Sequence, residues 1–367
     1  MTVFVSVGDP IAELSALLNK VPAKDRSPSD NVSQLLSAEC IDDLLAGDAA
    51  RAKAALTIAF STISSMNVQD IAKLSERITS CASKSIEGAA DLRLWSMVSL
   101  FNAVQVGSIK GRVLTALLQY GLDASLAASL RSTLGCADQW LKDWSLEDVA
   151  KARLLSLIAG LYDACDAPDE AQKQRLRILS IVSEDKSLRE LQADAASKSI
   201  AFILKFGEIT TLDSLLATIS SRRVPSSPLV DLLGLICSGS STADLDAFCA
   251  KHGSILAEAE IDVDRLRTYL QALNLCSLAS GQKVVKLETI QTSLQLSSSD
   301  ETEQAVIDAV SLGLIDAQIN EQDACVQITS CMYRSLNDAV WKDLQQRLQT
   351  WRDSVGAVLP WSQHVQN

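Results

Sequence analysis

The side chains that could do chemistry are few, and one cysteine–histidine pair is close enough in sequence to cooperate. Cys249 and His252 are three residues apart, so on a helix they would be neighbours and could form a nucleophile and its base. No other residue type nearby is placed to orient the imidazole. The chain's other histidine, His364, lies in the last residues, so no pair of nearby histidines could hold a catalytic zinc ion. The sequence therefore predicts no enzyme, no metal site and no cofactor.

A glycine-flanked segment resembles a phosphate-binding loop only superficially. Gly107 and Gly111 enclose the tripeptide Ser-Ile-Lys. The spacing differs from the G-x-x-x-x-G-K-[ST] pattern, and no predicted strand precedes it. We predict a loop between two helices at 107–111.

Nine cysteines are scattered along the chain without a C-x-x-C pair, at Cys40, Cys81, Cys136, Cys165, Cys237, Cys249, Cys276, Cys325 and Cys331. This spacing does not support a zinc ribbon or a thioredoxin-like motif. Free thiols in a reducing compartment are the expectation. The first residues lack a basic segment followed by an apolar run, and no stretch approaches ~18 apolar residues. The sequence thus predicts a cytoplasmic protein with no membrane span.

The composition favours helices packed on helices. Hydrophobic residues make up 47% of the chain and aromatic residues only 4%, with 15 glycines and 7 prolines. The formal net charge is −12. Tight phosphate binding requires clustered lysine and arginine, so we expect no strong direct binding to nucleic acid.

Short amphipathic patterns follow one another after a polar, proline-containing loop at 21–30. Apolar residues recur at the spacing of one helix face, for example at Leu94, Met97, Val98 and Phe101, and at Leu155, Ile158, Ala159 and Tyr162. Short loops between such helices make neighbours antiparallel and build a solenoid-like helical repeat. We predict a mainly α protein with an N-terminal helical region at 1–85 and a helical-repeat array at 86–280.

The pattern changes near residue 281 to that of a winged helix, which we place at 281–332. A first helix is expected from Val284 to Leu294. Ser298 with Glu301, or Asp300 with Glu303, can form a capping box for a second helix over 300–312. Two short alternating segments then follow, at 314–320 and 325–329.

The second helix of this winged helix contains four acidic residues and no lysine or arginine: Asp300, Glu301, Glu303 and Asp308. In winged helices that read DNA, this helix enters the major groove. An acidic helix is repelled by phosphates. The sequence therefore indicates that the winged helix binds protein.

The segment 333–367 is predicted to form a helix and a tail. Apolar residues at alternating spacings of three and four form a narrow seam: Trp341, Leu344, Leu348, Trp351, Val355 and Val358. A single helix of ~20 residues is marginal in water, so the seam requires a partner surface. Two arrangements remain open: the seam packs on its own winged helix, or it joins helices of other subunits.

Four stretches together resemble the PCI-domain proteins, the scaffold subunits of the proteasome lid, the COP9 signalosome and eukaryotic translation initiation factor 3. They lie at 92–102, 140–144, 306–315 and 341–351. The order and spacing of the four stretches fit the subunits of translation initiation factor 3 best. The resemblance implies that the helical part of the PCI domain begins at about 165.

The resemblance also implies a role and partners. The chain would be a non-catalytic scaffold that binds other PCI subunits, with the 40S ribosomal subunit as an indirect partner in recruiting mRNA and initiator tRNA. Winged helices of the family associate through the wing sheet, to which Leu314, Ile319, Val326 and Ile328 would contribute. The alternative is the same role in the COP9 signalosome or the proteasome lid.

Overall fold

The computed structural model describes residues 10–18, 35–63, 66–84, 89–182, 185–207, 211–334 and 338–364. The chain divides into two compact units, 1–196 and 197–367. The predicted fold class is confirmed, because successive helices lead to a small three-stranded sheet and a C-terminal helix. The loop expected at 21–30 lies outside the described residues.

The first unit is helical throughout its described part. Its helices are α1 (Pro10–Leu18), α2 (Ala38–Ala46), α3 (Ala49–Ser61), α4 (Val68–Ser83), α5 (Ala90–Ala103), α6 (Gly107–Asp123), α7 (Ala127–Leu134), α8 (Ala137–Asp143), α9 (Asp148–Ala164) and α10 (Pro168–Ser180), followed by α11 (Lys186–Phe206), which crosses into the second unit. The boundary expected near residue 85 falls inside this unit, since α4 packs against both α5 and α6.

Each helix of the first unit buries its apolar stripe against its neighbours. α2 packs on α3 and α4, α6 packs on α7 and α9, and α9 packs on α10. Arg93 on α5 is buried, and its Nη1 donates to the carbonyls of Cys81 and Ala82 at 3.1 and 3.3 Å. These carbonyls belong to the last turn of α4, where a cation both satisfies free acceptors and complements the helix dipole.

The loop expected at 107–111 is wrong, because Gly107 begins α6 and Gly111 lies inside it. A Cβ on Gly107 would lie 3.1 Å from Trp144 Cα, and one on Gly111 would lie 2.7 Å from Leu146 Cδ2. The two glycines therefore allow α6 to approach the segment after α8 closely. The turn itself precedes them, at Val104–Val106.

Trp144 has little freedom to move away from α6. Its ring stacks on Trp140 with the centroids 5.6 Å apart and an interplanar angle of 6°. Phe101 on α5 meets both indoles edge-on, at 5.4 and 5.7 Å. Such aromatic pairs contribute ~0.5–1.5 kcal/mol beyond the area they bury, so the cluster fixes the segment that faces Gly107.

The second unit continues with four helices, a winged helix and a C-terminal helix. Its elements after α11 are α12 (Leu212–Ser221), α13 (Pro228–Ser238), α14 (Thr242–Glu258), α15 (Val263–Ala279), β1 (Val284–Lys286), α16 (Leu287–Leu294), α17 (Ser299–Ser311), β2 (Ile315–Asn320), β3 (Cys325–Cys331) and α18 (Asp338–His364). Helix α15 packs against α14 on the helical side and against α16, α17 and β3 on the winged-helix side.

The sheet has the order β1-β3-β2, with both pairs antiparallel. Strands β2 and β3 confirm the two predicted segments. The first helix, however, begins at Leu287 and not at Val284, because Val284 and Val285 belong to β1, where Val285 lies opposite Val326. A three-residue strand is too short to show alternation in the sequence, so its two valines are indistinguishable from the first turn of the following helix.

Helix α17 begins after Ser298, one of the two predicted caps, but the reciprocal bond of a capping box is not formed. The Ser298 side chain accepts from the Glu301 amide at 3.2 Å, and the Glu301 carboxylate accepts from the Ser297 amide at 2.9 Å. The helix ends at Ser311, and two residues later Gly313 has a φ of +69°, which suits glycine.

We expect Gly107→Ala to lower the free energy of unfolding by about 1–3 kcal/mol, because the methyl group would press on the fixed Trp144 backbone. Chemical denaturation would measure this change as a lower midpoint at an unchanged m-value. Gly135→Ala is the matched control: Gly135 has an α-helical φ of −59°, and its nearest atom to a new Cβ lies 4.0 Å away. Equal midpoints for the two variants would contradict the close approach.

Candidate protein-binding surface

The second helix of the winged helix presents an acidic surface with an apolar centre. Ala305, Val306 and Ala309 of α17 face the core, whereas Ile307 and Val310 are exposed one turn apart. The helix carries no lysine or arginine that could neutralise its acidic residues. A pair of exposed apolar side chains suits a protein partner, and the acidic residues around it repel a phosphate backbone.

The burial of two residues in or beside the wing, which is formed by β2 and β3, corrects part of the predicted surface. Leu314 and Val326 each have only 2% of their surface exposed, so both belong to the chain's own core and cannot face a partner. Ile319 and Ile328 are half-buried and remain accessible in part. The burial in β3 departs from strict alternation, because the adjacent Cys325 and Val326 are both buried and Gln327 is exposed.

Strand β2 forms one edge of the three-stranded sheet. It pairs with β3 along one side, with Ile319 opposite Val326 and Ala317 opposite Ile328. The other side carries the free backbone groups of an edge strand. Such an edge can accept a strand from another chain.

The predicted seam of the C-terminal helix lies largely in solvent. Four of its side chains have large exposed fractions: Trp341 54%, Leu348 57%, Trp351 68% and Val355 42%. Leu344 is half-buried, and the side chain of Val358 lies outside the described residues. The five side chains share one helix face because they alternate at three and four residues. No described element covers the four exposed ones.

The root of α18, which comprises Tyr333, Arg334 and the first turns of the helix, is held by polar contacts. Arg334 donates from Nη1 to Asn274 Oδ1 on α15 and from Nη2 to the Ile236 carbonyl on α13. The Tyr333 hydroxyl donates to Asp343 Oδ2 at 3.2 Å, and Arg347 pairs with the same carboxylate at 2.8 Å. Arg334 thus joins the segment before α18 to two helices that are distant in sequence.

The cysteine–histidine pair lacks the features of a catalytic centre. Both residues lie on α14, but the helix leaves helical geometry at His252, whose φ is −121° and ψ is 21°. The His252 ring lies against Phe248, with the centroids 4.7 Å apart. Burial, reinforced by Asp246, raises the pKa of the Cys249 thiol, so the sulfur is protonated at neutral pH and is a poor nucleophile.

Two further features were searched for in the described part of the chain. No group of three or more metal-ligating side chains comes together there. None of its helices is both long enough and apolar enough to cross a bilayer.

Sequence reasoning missed Ile307, Val310 and Arg334. A helical projection of α17 could have found the first two, because they lie opposite Ala305 and Ala309. Arg334 has no local signal, since its partners lie 60 and 98 residues earlier in the chain.

Comparison with known proteins supports the fold. Residues 249–330 match the model of the PCI domain family. The chain is similar to eukaryotic translation initiation factor 3 subunit M of Phaeosphaeria nodorum, with 27% identity over 78% of this chain and 66% of that protein. The corresponding protein of Nematostella vectensis is 23% identical over 78% of this chain and 75% of its own length. That of Xenopus tropicalis is 24% identical over 73% and 71%.

These similarities confirm the sequence-based recognition of a PCI-domain protein that resembles subunit m of translation initiation factor 3. The matched region spans about two thirds to three quarters of these relatives' lengths. The family match begins at Cys249, within α14, later than the start near 165 that the resemblance implied. The match includes α15 and the winged helix, and it ends before α18.

We expect Arg334→Met to lower the free energy of unfolding by about 1–3 kcal/mol, because Asn274 and the Ile236 carbonyl would lose their donor. The control is Arg347→Met, on the exposed face of α18, where an i,i+4 ion pair contributes ~0.5 kcal/mol or less. Thermal and urea unfolding of both variants would measure the difference. An Arg334 variant as stable as the control would show that these bonds do not hold the root of α18.

Proposed function

We propose that this chain is a non-catalytic scaffold subunit of the eukaryotic translation initiation factor 3 complex. It binds neighbouring PCI subunits and, through the assembled factor, supports recruitment of mRNA and initiator tRNA to the 40S ribosomal subunit in the cytoplasm. The similarity to subunit M proteins supports the choice of complex. The physical observation that carries the scaffold role is the exposed apolar seam of α18.

The seam has the properties of an unfilled interface. Trp341, Leu348 and Trp351 are large side chains exposed on one helix face. Burying a large apolar side chain contributes ~1.5–3 kcal/mol, and tryptophan is enriched among residues that dominate binding energy. Exposed apolar residues that are repeated over four helical turns bury the most surface, and so contribute the most binding free energy, when a second helix covers them.

The polar residues beside the seam would give the helix its specificity. Lys342, Arg347 and Arg352 provide positive charge, and Asp343 and Asp353 provide negative charge, along the same helix. Charges that flank an apolar seam select partner and orientation. A partner helix with complementary charges would therefore be favoured over other apolar helices.

The winged helix would contribute a second contact. The free edge of β2, with the half-buried Ile319 and Ile328 beside it, suits association with the sheet of a neighbouring subunit. Two separate contacts on one subunit raise the effective concentration of each for its partner. Both contacts lie in the second compact unit.

Affinity purification of the tagged full chain from eukaryotic cells tests the choice of complex. We expect the other subunits of translation initiation factor 3, together with 40S ribosomal proteins. Recovery of proteasome-lid or COP9 signalosome subunits without any of these would overturn the assignment. A tight, salt-sensitive interaction of the purified full chain with RNA would instead support direct nucleic-acid binding.

We expect the double substitution Trp341→Ala and Leu348→Ala to reduce incorporation into the complex by about tenfold or more, because two large anchors are lost. Unfolding of the purified chain should barely change, since both side chains are exposed in the free subunit. Quantitative mass spectrometry of the purified complex measures the incorporation.

The matched control substitutes Gln346→Ala and Gln349→Ala, which lie on the same helix outside the seam and are exposed. These changes should leave incorporation at the level of the unmodified chain. Equal recovery of the seam variant and the glutamine variant would remove α18 from the binding surface.

A further inference from the structure

We propose that Cys331 and Cys276 form a modification site, at which a peroxide oxidises the two thiols to an intramolecular disulfide. The bond would join the end of β3 to α15. The proposal concerns two groups outside the seam and the wing edge, and it stands independently of the complex to which the chain belongs.

The Cys331 thiol lies against the backbone of Cys276. The Cys331 thiol donates to the Cys276 carbonyl at 3.4 Å, and the Cys276 thiol lies 3.9 Å from the Leu314 carbonyl. Each thiol also shifts the pKa of the other. Because β3 and α15 pack together, the two cysteines are neighbours in the fold although they are 55 residues apart in sequence.

Access to the pair is one-sided. Two cavities of ≈ 490 Å³ each are lined by Cys331. One lies beside Leu273, Tyr333 and Arg334, and the other beside Lys283. Cys276 is buried and lines neither cavity. A small oxidant therefore reaches Cys331 first and leaves Cys276 as the resolving thiol.

The electrostatics fit the same order of events. The hydrogen bond from Cys276 lowers the pKa of Cys331, which increases the fraction of reactive thiolate. The same hydrogen bond, followed by burial, raises the pKa of Cys276, which keeps that sulfur protonated. Cys237 lines the first cavity as well, but burial raises its pKa to about 11, so it is much less reactive.

Hydrogen peroxide serves as the two-electron oxidant. The Cys331 thiolate attacks one peroxide oxygen, the O–O bond breaks, hydroxide leaves, and Cys331 becomes a sulfenic acid. Cys276 then loses its proton and attacks the Cys331 sulfur. The S–S bond forms, the S–O bond breaks, and the hydroxide that leaves takes up the proton as water. Two thiols and one peroxide thus give one disulfide and two waters.

The bond would act on the root of α18. Cys331 precedes Arg334 by three residues, and Cys276 follows Asn274, the partner of Arg334, by two. A covalent link at this place would fix the segment that sets the direction of α18. Oxidation would therefore restrict the movement of the seam without altering any seam residue.

The experiment treats the purified, reduced full chain with hydrogen peroxide and quenches it with an alkylating reagent. The oxidised chain should carry two alkyl groups fewer than the reduced chain alkylated in the same way, and peptide mapping should identify one link, between Cys276 and Cys331. A reductant should reverse it. Cys331→Ser should abolish the link. Cys276→Ser should also abolish it and should leave a sulfenic acid on Cys331 that a 1,3-diketone probe labels.

Cys237→Ser is the matched control, because it removes the other cysteine of the first cavity and should leave the link intact. Circular dichroism of each variant establishes that it is folded. The proposal is overturned if the folded chain remains fully reduced while a denatured sample oxidises under the same conditions. It is also overturned if the main link in the folded chain joins other cysteines.

Discussion

The burial of α15 on both of its sides is the constraint on which the second unit depends. Eight of its residues are buried: Leu266, Tyr269, Leu270, Ala272, Leu273, Leu275, Cys276 and Ala279. A helix that is apolar on most of its circumference must be covered from more than one direction. α14 covers one side, and α16, α17 and β3 cover the other. The helical part and the winged helix therefore share one core and cannot be treated as separate domains.

This shared core also determines which residues remain for partners. The winged helix uses Leu314 and Val326 to complete the core, so its exposed apolar surface consists of Val284, Ile307, Val310 and the neighbourhood of the β2 edge. α18 contributes little to the core and retains its seam. The proposed binding surface thus lies mainly on the element that contributes least to the core. The division is physically reasonable, because an exposed helix can bind without disturbing the packing of the rest.

The sequence predicts the fold class and the second half of the winged helix well, because those signals are local. Ser298 and Glu301 mark the start of α17 by the chemistry of a helix cap, and the alternating segments mark β2 and β3. The seam of α18 is also predictable from its spacing, although its exposure is not. Periodicity identifies an apolar face but does not say what covers it.

The errors arise where non-local contacts determine the structure. In the sequence, Gly107 and Gly111 resemble a loop between two helices. The structure shows another reason for glycine at both positions: the segment with Trp144 and Leu146 lies so close that a side chain would clash. β1 exists only because β3, forty residues later, offers it a partner. Leu314 precedes β2 and is buried together with Ile315, which no alternation within the strand predicts.

The anchor at Arg334 also has a consequence for the order in which the chain acquires its structure. Its acceptors are 60 and 98 residues upstream, so both contacts close long loops, whose entropic cost is met only after α13 and α15 are in place. During synthesis, the upstream helices emerge before the arginine. Until Arg334 has emerged, these contacts cannot hold the start of α18 in a defined direction. The surface that we propose for partners would therefore mature only after α13 and α15 have folded.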